Sequence, residues 1–387
     1  MKKLIYLILF VTICSCEKSN FRSDCFEVQW VQDYGRSATK GTFVGDIEDD
    51  ISWIQLDSTY LIIDTKTGDL IKEIPSGLSS LLAGSWKSVR HGSKIIFHMQ
   101  TSITAYDFNT GDVVWKIDTK EDHLNNELMI GSYMELTEDI LVVPKRAGFY
   151  VINVVTGTLE NKVNLNDIFC LDTPKSKIQV RQVLRESADE YFVTIQAAIP
   201  GEANSLTFTS RVNISETKEE WRYTAKKDTT LGGTVFRPVI TNMAKLEDKI
   251  IFLEDDVIAV DATTGDSLWH VQYDGLGFWN GFNHDPEQNI IYLVSQSDLI
   301  VAKAIDINGK ELWSTQFDFQ TSGQEVTIDG DKLFVKAGKL YALDRSNGKV
   351  LSSFLGEDGD QFILVHISVG ETLVIGVSST KVYGFRK

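Results

Sequence analysis

The chain of 387 residues is poor in the residues that usually form metal, haem or redox sites. It has 4 cysteines, at positions 14, 16, 25 and 170, and 6 histidines. No cysteine pair has the CxxC spacing of a zinc site, and no CxxCH haem motif is present. The histidines show no HxxxH or HExxH spacing. From these absences we expect no metal and no cofactor, and Cys25 and Cys170 are expected to be unpaired.

The sequence also lacks an excess of basic charge. Its 38 Lys and Arg residues face 54 Asp and Glu residues, which gives a net charge of −16. Nucleic-acid binding needs a basic surface, so a nucleic-acid partner is excluded. No GxSxG, GxxxxGK[ST] or GxGxxG element occurs in a strand–helix setting, so no catalytic residue is predicted.

Only one long apolar run is present, and it lies at the N-terminus. Lys2 and Lys3 precede an apolar stretch over 4–13 that is too short to span a bilayer but is typical of a secretory signal. The stretch ends in "ICSC", which resembles a bacterial lipobox and predicts lipidation at Cys16. Cys14 fits less well because it follows the bulky Ile13, and an ordinary cleaved signal is the alternative. The predicted organisation is a signal peptide over 1–15, a short tether over 16–24 and one domain over 25–387.

A short hairpin pattern recurs along the rest of the chain at intervals of about 40–48 residues, with one longer interval. Its copies are YLIIDTKTGDL (60–70), AYDFNTGDVVW (105–115), FYVINVVTGTL (149–159), RVNISETKEEW (211–221), AVDATTGDSLW (259–269), AIDINGKELW (304–313) and YALDRSNGKVL (341–351). This period is typical of the blades of a β-propeller.

Each copy contains residues that a tight turn requires. An Asp or Asn before the turn is placed to accept hydrogen bonds from backbone N–H groups, and Gly adopts the positive φ that closes the hairpin. In the fourth copy Thr217 takes the place of Gly. Trp follows four residues after the turn position in several copies, and we expect it to pack between neighbouring blades.

Further strands precede most hairpins, and no long amphipathic helix is predicted. The last repeat, over 371–385, lacks its final strand. The segment 25–32, with Trp30, resembles a final strand without its partner. Pairing of the two termini would complete a ring of eight four-stranded blades, with seven blades as the alternative, and would remove a free edge strand.

The repeated pattern, apolar–Asp–x–x–Thr–Gly–x–x–x–Trp, resembles the quinoprotein (PQQ-like) β-propeller repeat and covers about residues 25–387. The resemblance implies two classes of function. One class comprises calcium- and quinone-dependent dehydrogenases. The other comprises non-catalytic envelope lipoproteins of the BamB-like kind, which take part in outer-membrane protein assembly.

The signal, the length and the number of repeats favour the second class. The sequence has no adjacent cysteines of the kind that many quinoprotein dehydrogenases place over the cofactor. The predicted function is therefore a non-catalytic, monomeric, lipid-anchored propeller of the bacterial cell envelope that acts as a scaffold for envelope protein partners. The alternative is a quinone- and calcium-dependent dehydrogenase or a propeller that binds a small ligand such as a sugar.

Three segments depart from the repeat. The segment 277–289, GFWNGFNHDPEQN, is interpreted as an outer strand with its turn, with an aromatic binding loop as the alternative. The segments 161–180 and 199–205 are interpreted as variable loops that contact partners.

Overall fold

A computed structural model gives the architecture of the chain. It describes residues 26–35, 50–56, 59–75, 88–99, 102–119, 134–169, 177–198, 205–225, 229–231, 234–236, 242–254, 256–272, 277–297, 300–317, 325–356, 367–370, 373–377 and 381–386. In this part of the chain no helix is both long enough and apolar enough to cross a membrane.

Eight antiparallel sheets form the blades of a closed propeller, which confirms the predicted all-β fold and the count of eight. Blade 1 contains β2 (Ile51–Leu56), β3 (Thr59–Asp64) and β4 (Leu70–Pro75). Blade 2 contains β5 (Ser88–His91), β6 (Lys94–Met99), β7 (Ser102–Asp107) and β8 (Val113–Asp118). Blade 3 contains β9 (Glu135–Thr137), β10 (Ile140–Lys145), β11 (Gly148–Asn153) and β12 (Thr158–Asn164). Blade 4 contains β13 (Lys177–Arg185), β14 (Glu190–Ala198), β15 (Ser205–Asn213) and β16 (Lys218–Thr224).

The second half of the ring repeats this order. Blade 5 contains β19 (Asn242–Leu246), β20 (Lys249–Leu253), β21 (Val257–Asp261) and β22 (Ser267–Val271). Blade 6 contains β23 (Gly277–Asp285), β24 (Ile290–Ser297), β25 (Ile300–Asp306) and β26 (Glu311–Phe317). Blade 7 contains β27 (Glu325–Asp329), β28 (Lys332–Ala337), β29 (Lys339–Asp344) and β30 (Val350–Phe354). Blade 8 contains β31 (Ile367–Val369), β32 (Leu373–Val377), β33 (Val382–Arg386) and β1 (Glu27–Gln32).

Two small elements lie between blades. A helix, α1 (Leu165–Phe169), follows blade 3 and packs against β16 of blade 4. A two-stranded sheet of β17 (Thr229–Leu231) and β18 (Thr234–Phe236) lies in sequence between blades 4 and 5.

The two ends of the chain close the ring as predicted. The N-terminal β1 pairs antiparallel with the C-terminal β33, in a register that places Glu27 opposite Arg386 and Gln32 opposite Val382. The outermost strand of blade 8 therefore comes from the opposite end of the chain.

The core is divided into eight hydrophobic clusters, each of which lies between two consecutive blades. The cluster between blades 8 and 1, for example, joins Trp30 and Ile375 to Ile54 and Leu61. Strands bury both faces in this arrangement because side chains alternate between the preceding and the following blade. The ring is therefore stabilised by contacts between neighbours all the way round.

The repeated turn has the predicted chemistry, which blade 5 illustrates. Asp261 Oδ1 accepts hydrogen bonds of 2.8 Å from the backbone N–H groups of Thr263 and Thr264. Gly265 has a φ of 76°. In blade 4 the non-glycine Thr217 occupies the same position with a φ of 51°, which confirms it as the turn residue of the degenerate copy.

Six of the turn glycines are covered by a side chain from the preceding blade, namely Gly68, Gly111, Gly157, Gly265, Gly309 and Gly348. Trp221 Nε1 of blade 4 donates a 3.1 Å hydrogen bond to Ala262 O in blade 5, and its ring covers Gly265. A Cβ at Gly265 would lie 2.7 Å from that ring. Equivalent bonds are made by the other tryptophans at this position, Trp30, Trp115, Trp269 and Trp313. Interblade packing of these tryptophans is thus confirmed.

A β-bulge precedes every one of these docking positions. In blade 6 Trp313 pairs with Ala304 and Glu311 pairs with Ile305, so Leu312 is the extra residue. The same register shift occurs between the third and fourth strands of all eight blades. A bulge bends the strand and redirects the side chain that follows it, and here it directs that side chain onto the next blade.

The connections make the two ends of the ring different. At one end lie the turns from strand one to two and from three to four, such as 92–93 in blade 2. We call this the short-turn end. At the other end lie the links from strand two to three and from each blade to the next, such as 119–134 between β8 and β9. We call this the long-connection end.

Candidate functional site

The first strands of the blades surround the axis of the ring. Within the described chain, first strands of adjacent blades contact each other: β13 contacts β19, β23 contacts β27, and β27 contacts β31. Each first strand that the structure describes is hydrogen-bonded to a strand on one side only, the second strand of its own sheet. Backbone N–H and C=O groups therefore point towards the axial channel and need other partners.

Polar side chains of one blade bind the free backbone edge of the next. Gln182 Nε2 donates to Met243 O at 2.8 Å, and Met243 N donates to Gln182 Oε1 at 2.7 Å. Asn283 Nδ2 of blade 6 donates to Val326 O of blade 7 at 3.1 Å. These contacts join neighbouring first strands beside the channel.

Glu135 makes the same kind of contact between blades 3 and 4. Its Oε2 accepts a 2.7 Å hydrogen bond from the backbone N–H of Arg185. Burial raises the pKa of Glu135 to about 7, although the Arg185 N–H and the Arg185 charge act in the opposite direction. Protonation near neutral pH therefore changes the charge at the wall of the channel.

The long-connection end contains four buried ionisable side chains at equivalent places. They lie within one residue of the last position of the second strand of a blade. Their exposed fractions are 6%, 1%, 5% and 6% for His98, Lys145, Glu254 and Lys336. Ionisable groups are rarely buried to this degree because burial disfavours their charged form. Their common position makes this end of the ring the candidate functional region.

His98 and Lys145 form a direct pair across the boundary between blades 2 and 3. Lys145 Nζ lies 2.7 Å from His98 Nε2 and 5.3 Å from the centre of the Tyr150 ring. Burial, and then the charge of Lys145, hold the pKa of His98 well below its usual value. The neutral imidazole is thus the acceptor for the lysine ammonium group.

Glu254 lies near Tyr223 at the boundary of blades 4 and 5. Burial, followed by the charges of Glu254 and Asp256, raises the pKa of Tyr223 to about 12. Tyr223 therefore stays a neutral phenol at physiological pH and keeps its hydroxyl proton.

Lys336 occupies the corresponding place in blade 7. It is paired in register with Glu325 of β27 and with Leu340 of β29. Burial lowers the pKa of Lys336 to about 8, and the charge of Glu325 acts in the opposite direction.

Among the described residues, no group of three or more His, Cys, Asp and Glu side chains is arranged to hold a metal ion.

The structure corrects one interpretation and leaves others untested. The segment 277–289 is a strand with its turn, as predicted, but β23 is the first strand of blade 6 and lies at the axis rather than at the outer edge. Trp279 packs between blades 5 and 6, so this segment is not an aromatic loop on a face of the ring.

The other singled-out segments lie partly or wholly outside the described residues. Cys16, the predicted lipidation site, is outside them, as are Cys14, Cys25 and Cys170. The same holds for 199–204 in the segment 199–205. The segment 161–180 contains the end of β12, helix α1 and the start of β13.

Sequence reasoning did not single out Glu135, Lys145, Glu254 or Lys336, and it treated His98 as one of several scattered histidines. A usable signal was present. KIIFHM, ILVVPK and KLFVKA are apolar strands with an ionisable residue at the last or next-to-last position, and a strand buried on both faces places that residue in the interior.

Comparisons with known proteins agree with the propeller and its repeats. Residues 253–387 match the family described as "Outer membrane protein assembly factor BamB". This match begins at the end of β20 and extends through blades 6 and 7 and the C-terminal strands of blade 8. No curated protein sequence matches the chain.

Similar solved structures come from several functional classes. The quinohemoprotein alcohol dehydrogenase of Comamonas testosteroni has a TM-score of 0.67 at 12% identity, covering 95% of this chain and 78% of its own. The computationally designed protein Ika8 has a TM-score of 0.61 at 13% identity, covering 91% and 98%. The C-terminal WD40 domain of Sif2 has a TM-score of 0.61 at 12% identity, covering 94% and 98%.

Identities this low show a shared fold and nothing about activity. The repeated turn, the interblade tryptophans and the family match over the C-terminal third agree with one another. The chain is an eight-bladed β-propeller, and its residues 253–387 are similar to the BamB assembly-factor family.

Proposed function

We propose that this chain is a non-catalytic, lipid-anchored propeller of the bacterial cell envelope that acts as a scaffold for protein partners. The observation that carries the proposal is the match of residues 253–387 to the BamB assembly-factor family. The N-terminal pattern that ends at Cys16 supports anchoring to a membrane, with the outer membrane as the expected location. A role in outer-membrane protein assembly is the most specific form of the proposal.

We place the partner-binding surface at the long-connection end. At the short-turn end the blades repeat one turn geometry. Side chains of the preceding blade already pack against these turns. At the long-connection end the links differ from blade to blade, so this surface is free to be specific for a partner.

The lipid anchor is tested by metabolic labelling with a radioactive fatty acid in a bacterial host. Cys16→Ala should abolish the label and release the protein from the membrane fraction, because the acceptor thiol is lost. Cys14→Ala is the matched control and should remain labelled. Labelling that persists in Cys16→Ala would refute this anchor site without affecting the propeller.

The binding surface is tested by photo-crosslinking in the envelope from matched positions of one blade. A photoreactive residue at Gln316 lies near the end of β26 at the long-connection end, and one at Asn308 lies in the turn at the short-turn end. We expect discrete protein adducts from Gln316 and none from Asn308. Leu355 and Asn347 provide the same comparison in blade 7.

Adducts from Asn308 and Asn347 alone would place the partner on the opposite end.

Catalysis is tested separately by incubation of the purified chain with quinone and calcium. Dye-linked alcohol oxidation or stoichiometric quinone absorbance would overturn the non-catalytic proposal.

A further inference from the structure

The buried amine of Lys336 differs from the other buried ionisable groups in its surroundings. Along β28, Leu333 and Val335 pack into the cluster between blades 6 and 7, whereas Phe334 packs into the cluster between blades 7 and 8. Side chains alternate along a strand, so Lys336 shares the face of Phe334 and points towards blade 8. It lies one residue before β28 ends at the long-connection end.

Lys336 makes no hydrogen bond or ion pair with the residues that the structure describes. The cross-strand Glu325 acts on it only through its charge. Lys145, by contrast, donates to His98 and is 1% exposed, whereas Lys336 is 6% exposed. The amine of Lys336 is therefore enclosed, has no fixed acceptor among the described residues, and is not fully sealed from solvent.

We propose that Lys336 is a covalent modification site, whose ε-amine condenses with small aldehydes or ketones that enter from the long-connection end. The nitrogen lone pair forms a bond to the carbonyl carbon, and the carbonyl π pair moves to oxygen, which takes up the proton that the nitrogen loses. The carbinolamine then loses water and becomes an imine. No oxidant or reductant takes part.

The electrostatics of the site support this reactivity. The attacking species is the neutral amine, and burial lowers the pKa of Lys336 to about 8. At pH 7.5 the neutral fraction is then on the order of a hundredfold larger than that of an ordinary lysine amine. A dry, apolar boundary on the side of Phe334 also disfavours return to the charged form.

The test uses the purified full chain with acetaldehyde and sodium cyanoborohydride, which reduces an imine to a stable ethylated lysine. Peptide mass spectrometry measures the adduct at Lys336 and at Lys332, which lies on the same strand at the short-turn end. We expect the Lys336 adduct to exceed the Lys332 adduct at least tenfold at pH 7.5, and its yield to rise with a midpoint near pH 8.

Glu325→Gln sharpens the test because it removes the charge that favours the ammonium form. The midpoint of labelling should then move to lower pH, whereas the adduct at Lys332 should not change. Absence of an adduct at Lys336 while Lys332 is labelled would overturn the proposal. A pH profile at Lys336 that coincides with the profile at Lys332 would overturn it as well.

Discussion

The same strands form both ends of the ring, but the side chains at the two ends differ in their roles. At the short-turn end an Asp or Asn, a residue of positive φ and a docking side chain recur in blade after blade, and each satisfies backbone groups and fills space between blades. At the long-connection end the second strands of blades 2, 3, 5 and 7 carry, within one residue of their ends, buried ionisable groups that cost free energy. The repeat thus builds the ring, and the departures from the repeat lie where we propose the binding surface.

The largest expected effect tests the structural role of the short-turn end. Trp313→Ala removes a ring that is 8% exposed and whose Nε1 donates to Arg345 O at 3.0 Å. We expect the free energy of unfolding to fall by about 3–5 kcal/mol in denaturant titration. The adjacent Leu312 is 45% exposed, and Leu312→Ala should change stability by less than about 0.5 kcal/mol. Trp269→Ala removes the equivalent ring in blade 5, and the free energy of unfolding should fall by an amount near the lower limit of that range.

A substitution at the other end should act in the opposite direction. The folded pKa of Lys336 is about 8, below the ordinary value of 10.5, so the folded state disfavours the bound proton. Lys336→Met should therefore raise the free energy of unfolding at pH 7 by up to roughly 3 kcal/mol. The gain should shrink as the pH rises from 8 to 10.5, because above this range the lysine of the parent protein is neutral in both the folded and the unfolded state. A loss of stability at pH 7 would contradict this account of the site.

The channel wall provides a test of the opposite pH dependence. Because the folded pKa of Glu135 is about 7 and its ordinary value is 4.5, the folded protein binds the proton more tightly than the unfolded chain. Stability from this residue is present below pH 4.5 and is lost as pH rises to 7, by roughly 3 kcal/mol. Glu135→Gln should remove that slope from chemical denaturation curves between pH 5 and 8. The exposed Glu160→Gln is the control and should retain the slope.

The smallest expected effect concerns the degenerate turn. Thr217 is β-branched and has a φ of 51°, a conformation that costs such residues about 1 kcal/mol. Thr217→Gly should raise the free energy of unfolding by about that amount. Gly265→Ala at the equivalent turn should lower it, because the new Cβ would lie within 2.7 Å of Trp221. If both substitutions were neutral, the turn geometry would not limit stability.

Most of the fold could be predicted because its determinants are local. Asp261 and Gly265 form a turn through residues within one hairpin, and the same letters recur along the chain. Ring closure by the segment around Trp30 could be predicted because a fourth strand was missing from one end and left over at the other.

The candidate site could not be predicted in the same way because burial there depends on neighbouring blades. Whether Lys145 is exposed or enclosed depends on His98, 47 residues earlier in the chain. The predicted position of β23, at the outer edge of its blade, was wrong for a related reason. A strand of alternating apolar and polar residues has the same sequence pattern whether it is the first or the last strand of a sheet. The contact of β23 with β27 in the structure identifies β23 as a first strand.

The closure of blade 8 has a consequence for the timing of assembly. The outer strand of that blade, β1, pairs with β33, and the strands of all seven other blades lie between these two in the sequence. β1 therefore stays without its partner until β33 has been made. Throughout this interval the edge of β1 is unpaired and open to pairing with other chains, and the docking of the five-residue β33 ends that exposure.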